Sequence, residues 1–309
     1  GTVTVSAPFE TTLALVGGMN TSTGEASTGE VQTLQSRAEA ESAFGEDSEL
    51  ATQVSLGLQN GAGTVYAVGV PETESTETVT GSSSGTLDNT PFDPNVQPEH
   101  TFDVTDTSEA AEMTVNVVYN TPTQPADANT MEINPITGEW AADESSDYEF
   151  VYTYGDYTTA VEDVVAKTPR IVAALTENET VANTLATGLE DNAEGFQFST
   201  GMVGATPEVE ASSYSDTYDT RRLSVVAASR GFTDAAETEM VRTVGAVAGK
   251  QAGKGLGDST TYEGLNGLTG LNTHYTNDQL STLIDNQVLP LKQSGTIDVV
   301  KDMTTSTDV

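Results

Sequence analysis

The residue types that could carry out chemistry begin with a serine cluster at Gly81–Gly85. Its sequence, Gly-Ser-Ser-Ser-Gly, matches the nucleophile elbow of α/β-hydrolases, which needs a strand before the serine and a helix after it. The surrounding stretch is rich in Ser and Thr and predicts a loop instead. His100 and His274 fall in a predicted β-rich insertion and in a glycine-rich connector, with no nucleophile beside either. We therefore interpret the serines as loop residues and both histidines as surface or packing residues.

A second candidate is Gly245–Gln251, which is similar to a phosphate-binding loop. It is one residue short, lacks the Ser or Thr after the lysine, and lies within a predicted helix. Lys250 is better explained as a cation at a helix C-terminus. Asp143, Glu144 and Asp147 fit no defined calcium-loop spacing and indicate a solvated acidic face. Because cysteine is absent as well, the sequence predicts no catalytic, cofactor-binding or metal-binding residue, and no cofactor.

The charge of the chain is its most unusual property. Its 47 Asp and Glu outnumber 11 Lys and Arg, which gives a formal net charge of −36. A disordered acidic chain is excluded because apolar residues recur with regular helix and strand spacing. Charge spread along the whole length is typical of a folded protein in multimolar salt, where the screening length falls to about 3 Å or less. The sequence thus predicts a halophile's protein. Nucleic-acid partners are disfavoured, because little here could neutralise phosphates, and no stretch is long enough to span a membrane.

Apolar strands alternate with amphipathic helices in the two outer parts of the chain. The predicted strands are Thr11–Val16, Thr64–Val70, Arg170–Leu175, Leu223–Ala228, Val288–Leu291 and Thr296–Lys301. The predicted helices begin at Ser36, at Ser48, near Ala160, at a Thr176/Glu179 capping box, at an Asp234/Glu237 capping box that leads to Lys250, and near Leu280. This alternation predicts an α/β fold, with a mixed sheet flanked by helices.

The middle of the chain has a different composition. Between Pro71 and Gly155, Pro, Thr, Ser, Asp and Glu dominate, and turn residues separate short strand patterns. The predicted strands are Thr101–Thr105, Met113–Tyr119, Met131–Ile133 and Tyr148–Tyr154. We interpret this part as a small β-domain inserted at the surface. The predicted division is an arm at 1–10, an α/β core at 11–70 and 156–277, the insertion at 71–155, and a further region at 278–309.

The segment Thr2–Val5 alternates like a strand but stands alone before Pro8. A lone terminal strand has no local partner. It therefore pairs either as an ordinary edge strand of its own domain or with the sheet of another molecule. Spacing and composition leave both interpretations open.

The order of several short motifs resembles that of contractile tail sheath proteins. In the first part the motifs are Leu13–Gly18, Val31–Leu34, Ala43–Leu50 and Leu58–Val68. In the later part they are Leu223–Ser229, the helix through Val247–Gly249, Leu265–Leu268 and Leu280–Thr305. The resemblance covers residues 1–70 and 156–309. Each motif alone is weak, and their order makes the resemblance specific.

The resemblance implies a structural subunit in which no residue does chemistry. Many copies would form a helical sleeve around an inner tail tube protein, together with baseplate and terminator proteins. Contraction of the sleeve would drive the tube into a target cell. Terminal arms complete sheets in neighbouring subunits of this family, which makes inter-subunit strand candidates of Thr2, Val3, Thr4, Val5, Thr296, Ile297, Asp298, Val299 and Val300.

The resemblance also implies a location and a length. The location is the tail of a virion assembled in the cytoplasm of a halophilic archaeon, or a cytoplasmic contractile injection particle. Family members usually continue beyond the position of Val309. We therefore expect this sequence to be part of a longer protein, in which 278–309 begins the C-terminal sheath region.

Two other classes of function remain as alternatives. A haloarchaeal cell-surface or adhesion protein would account for the acidic, Thr-rich β segments, although strand–helix alternation at 171–250 argues against it. An α/β enzyme would need convergent polar groups in a pocket at the carboxyl ends of its strands.

Overall fold

A computed structural model describes residues 11–46, 48–91, 102–118, 120–195, 198–205, 218, 220–254, 258–302 and 304. The predicted strand Thr2–Val5 and His100 lie outside these residues. The strands of the described chain form three sheets, of eight, three and six strands.

The strands are β1 (Thr12–Gly17), β2 (Gln32–Leu34), β3 (Thr64–Gly69), β4 (Glu72–Thr86), β5 (Phe102–Asp106), β6 (Ala111–Glu112), β7 (Thr114–Val117), β8 (Thr130–Ile133), β9 (Glu139–Gly155), β10 (Ile171–Ala174), β11 (Thr200–Gly204), β12 (Leu223–Ala227), β13 (Arg230–Phe232), β14 (Met240–Arg242), β15 (Gly270–Leu271), β16 (Leu289–Gln293) and β17 (Ile297–Val299). The helices are α1 (Arg37–Phe44), α2 (Glu49–Gln59), α3 (Tyr157–Val165), α4 (Glu179–Glu194), α5 (Val244–Ala252) and α6 (Asn277–Asp285).

The eight-stranded sheet has the order β17-β16-β12-β11-β10-β1-β3-β2. Its strands from β16 to β3 pair in parallel, and an antiparallel strand lies at each edge. Every residue of β1, β10 and β12 is buried. Continuous burial is expected of parallel strands that are covered on both faces. The predicted mixed sheet flanked by helices is confirmed.

Two helical layers cover this sheet. On one face α1, α2 and α5 enclose a core that includes Phe44, Leu50 and Val247. On the other face α3, α4 and α6 enclose a second core that includes Val161 and Leu185. The layers bury the apolar faces that the sequence spacing predicts.

Helices α2 and α5 pack so closely that their backbones are in contact. A Cβ atom at Gly249 would lie 2.3 Å from the carbonyl oxygen of Gly57. One turn further on, a Cβ at Gly253 would lie 2.8 Å from the carbonyl oxygen of Gly61. These glycines therefore set the distance between the two helices.

The insertion forms a sheet of its own, built around the 17-residue strand β9. One edge of β9 pairs with β4 along its length, and the other pairs with β5 and β8. Its core contains Trp140, Tyr148, Phe150 and Tyr152. The insertion contacts the α/β part of the chain at Asn178, the N-cap residue of α4. Its Nδ2 donates to the carbonyl oxygen of Ile136 at 2.8 Å.

Three of the sequence predictions for local structure are wrong. The helix predicted from Asp234 to Lys250 starts only at Val244, because the side chain of Asp234 accepts from the backbone of Thr238 and Glu239 and closes a tight turn between β13 and β14. Helix α4 is capped by Asn178, not by Thr176. The Gly81–Gly85 stretch belongs to strand β4 instead of a loop, because β9 pairs with it.

Candidate functional site

The residues that matched catalytic or metal motifs do not form a site. Ser82–Ser84 lie in β4, which continues as a strand to Thr86, so the helix that a nucleophile elbow requires does not follow the serines directly. His274 is exposed. Lys250 lies in the last turn of α5, and its Nζ is 3.5 Å from Glu263. Within the described ranges, no group of three or more His, Asp or Glu is placed to hold a metal ion.

The most tightly organised polar group is a buried ion cluster that the sequence did not reveal. It consists of Glu49 at the start of α2, Glu177 after β10, Arg230 in β13 and Arg242 in β14. The Nε of Arg242 lies 3.0 Å from Glu177 Oε1, and Nη2 of Arg230 lies 3.4 Å from Glu177 Oε2. Arg242 Nη1 also donates to Glu49. The cluster therefore joins four elements at the carboxyl end of β10.

The carboxylate of Glu177 stays charged although its side chain is only 1% exposed. Burial raises the pKa of Glu177, but the charges of Arg230 and Arg242 and a hydrogen bond from Arg242 outweigh burial, so the pKa lies below its ordinary value of 4.5. A lowered pKa gives stability that is fully present above the ordinary glutamate pKa. That stability is lost as the pH falls through the lowered value. The cluster is thus a structural joint at neutral pH.

A cavity of about 190 Å³ lies beside this cluster, lined by Ser229, Arg230, Met240, Asn272 and Tyr275 among others. Pockets for small molecules usually measure roughly 300–1,000 Å³. The carboxyl ends of parallel strands are where α/β enzymes place their sites. The acidic group at that position in this chain is Glu177. Its carboxylate already forms ion pairs with Arg230 and Arg242, so it is unsuited to act as a general base.

The predicted inter-subunit strand at Thr296–Val300 corresponds to β17. Its residues 297–299 pair with β16 on one side. On the other side, the backbone N–H groups of Tyr262 and Leu265 donate to Val299 and Ile297. Both edges of β17 thus have partners within the same chain. Whether Thr296–Val300 or Thr2–Val5 also contacts a second copy stays a prediction.

The family of this chain follows from its similarity to known proteins. The central domain of the phage tail sheath proteins matches residues 151–305, which is half of the chain. The chain belongs to the phage tail sheath protein family. The match begins near the end of β9 and includes strands β10 to β17. It also includes three members of the ion cluster, Glu177, Arg230 and Arg242. No curated protein matches by sequence.

Solved sheath structures share the fold of this sheath protein. A sheath tail protein from Desulfitobacterium hafniense matches with a TM-score of 0.57 and 12% identity, over 98% of this chain and 74% of that chain. One from Listeria innocua matches with a TM-score of 0.55 and 14% identity, over 97% and 70%. The helical sheath of the anti-feeding prophage, in its contracted state, matches with 0.55 and 11%, over 99% and 65%. Nothing in these comparisons supports the cell-surface alternative.

Proposed function

We propose that this chain is the structural subunit of a contractile tail sheath, and that it is not an enzyme. The observation that carries the proposal is the match of the sheath central domain to residues 151–305. A similar fold in a contracted helical sheath, over 99% of this chain, adds support. In this function the subunit acts through its contacts with neighbouring copies.

The architecture suits a subunit that transmits force. Buried parallel strands, two helical layers and the ion cluster at Glu177 tie the first and last parts of the chain together. A terminal strand such as Thr2–Val5, added to a neighbour's sheet, would make about four hydrogen bonds at roughly 0.5–1.5 kcal/mol each. About 2–6 kcal/mol for each subunit would keep the lattice connected while other contacts slide.

The partners proposed are many copies of the same chain, an inner tail tube protein, and baseplate and terminator proteins. A baseplate structure of the anti-feeding prophage also matches this fold, with a TM-score of 0.51 at 12% identity. The proposed location is a virion tail or a contractile injection particle in a halophilic archaeon, since the net charge of −36 fits multimolar salt. No helix in the described part of the chain has the length and apolar character needed to cross a membrane.

Electron microscopy of purified protein tests this function. In ~3 M salt, chosen to match the strong screening expected, we expect striated hollow tubes. Discrete particles of uniform size, over a wide range of protein concentration, would favour an enzyme or an adhesion protein instead.

A further inference from the structure

Cations are distributed very unevenly along the chain. Arg37 is the only Lys or Arg before Lys167, and residues 71–155 contain 17 Asp and Glu but neither Lys nor Arg. No carboxylate of the insertion can therefore pair with a cation of the insertion itself. Its partners must come from the core, from another molecule or from the solvent.

One face of the insertion sheet concentrates these carboxylates. Directly paired residues of neighbouring strands have their side chains on the same face. Thr78 pairs with Glu149, which pairs with Thr105, and Thr105 pairs with Glu112. The opposite face carries the buried aromatic core. We call the outward set the acidic face: Glu72, Glu74, Asp103, Glu112 and Glu149.

Four of the 11 Lys and Arg lie at the opposite end of the main sheet, where β10 and β12 begin. The backbone N–H groups of Thr200 and Gly201 donate to the carbonyl oxygens of Arg170 and Arg222. These bonds bring the segments that precede β10, β11 and β12 side by side. Lys167 and Arg221 are exposed there. We call this set the basic edge: Lys167, Arg170, Arg221 and Arg222.

An exposed aromatic residue stands in the middle of the basic edge. The side chain of Phe198, just before β11, is 68% exposed. The guanidinium of Arg222 lies 5.3 Å from the centre of its ring, and Arg222 Nε is held at 3.2 Å from Glu190. Aromatic residues, Phe among them, and arginine are enriched at protein interfaces relative to the rest of the surface.

We propose that the basic edge of one copy, with Phe198 at its centre, docks on the acidic face of a second copy. The insertion is attached through Asn178 at the carboxyl end of β10, and the basic edge lies at the amino end. Each copy therefore presents both surfaces at opposite ends of the same strand. Such a contact joins different surfaces and propagates from copy to copy, which generates a helical array when the rotation does not close. The inference rests on the proposed sheath function and assigns one of its contacts.

Charge reversal tests the basic edge. We expect K167E/R221E and Phe198→Ala each to raise the critical concentration for tube formation by about tenfold or more. The reversed charges would be partly buried against the acidic face in the docked contact, where salt screens them much less than on a free surface. Arg37→Glu, which reverses one exposed charge outside both surfaces, is the control for charge and should assemble as the wild type does. Circular dichroism and sedimentation velocity would verify that each variant is folded.

A mixing experiment identifies the partner surface. The reversal E74R/E149R on the acidic face should also block assembly, and mixing it with K167E/R221E should restore it, because each altered surface then meets its complement. Wild-type assembly by K167E/R221E and by Phe198→Ala would overturn the inference, as would unaffected assembly by E74R/E149R or mixing without recovery. If the wild type forms no tubes at all, the sheath function itself fails.

Discussion

At the scale of residues, Glu177 and Arg242 are the most constrained pair in the described chain. Both are almost fully buried, and their carboxylate and guanidinium are 3.0 Å apart. A buried ion pair adds little net stability over an apolar pair of the same volume, but removing one partner leaves a charge without compensation. The pair is therefore a point at which a single substitution has a large effect.

We expect Arg242→Gln to lower the free energy of unfolding by about 3–5 kcal/mol. Glu177 then keeps Arg230 as its one cation, and Glu49 keeps only the backbone N–H of residue 242 in place of the guanidinium. Arg37→Gln removes an exposed pair with Glu41 and should cost at most about 0.5 kcal/mol. Chemical denaturation of both variants in the same high salt measures the difference. Equal stability of the two variants would show that the cluster is not compensating a buried charge.

The sequence did not predict this cluster, and the reason is physical. Its four members come from α2, the loop after β10, β13 and β14, and only the folded sheet brings them together. Local periodicity reports which face of an element is apolar, not which charges meet across elements. The one available signal was the scarcity of cations, which makes each buried arginine a candidate partner for a carboxylate.

At the scale of elements, the apolar runs predicted the buried strands well. β1, β3, β10 and β12 fall within or next to the predicted ranges, because continuous burial requires continuous apolar sequence. The predictions were wrong where strand pairing, or a turn closed by a side chain, outweighs the local secondary-structure propensity. Strand β4 contains Ser and Thr throughout, and β9 supplies the hydrogen bonds that make it a strand.

The packing of α2 against α5 gives a prediction for one glycine. Gly249→Ala should destabilise the fold by about 1–3 kcal/mol, because the added methyl meets the backbone of Gly57. Gly188→Ala in α4 is the matched control: its Cβ would meet only Val165, at 3.8 Å, and the higher helix propensity of Ala should stabilise by up to about 1 kcal/mol. Thermal unfolding distinguishes them. If the melting temperature changed in the same direction for both variants, the close contact between α2 and α5 would not be what determines the effect of the added methyl group.

The terminal strand gives a prediction about assembly. Deleting Gly1–Ser6 should leave the monomer folded, since the eight strands described for the main sheet all lie between Thr12 and Val299. It should prevent ordered tubes if the segment adds to a neighbour's sheet. Circular dichroism measures the first effect and microscopy the second. Intact tubes from the deleted chain would remove the role proposed for the arm.

At the scale of the whole molecule, the net charge of −36 makes the stability of the fold depend on salt. We expect loss of the folded state below about 1 M salt, because unscreened carboxylates repel one another. Melting temperature measured against salt concentration checks this, with sucrose at equal osmolality as a non-ionic control. A melting temperature that does not change with salt would contradict a halophilic origin.

We propose that this chain works as many interlocked copies. Helical reconstruction of protein purified in high salt is the decisive experiment. We expect a hollow tube of identical subunits, each with the eight-stranded sheet of β1 to β17 and in contact with its neighbours along the helix. A self-contained monomer, with a ligand in a cleft and no ordered contact between copies, would contradict it.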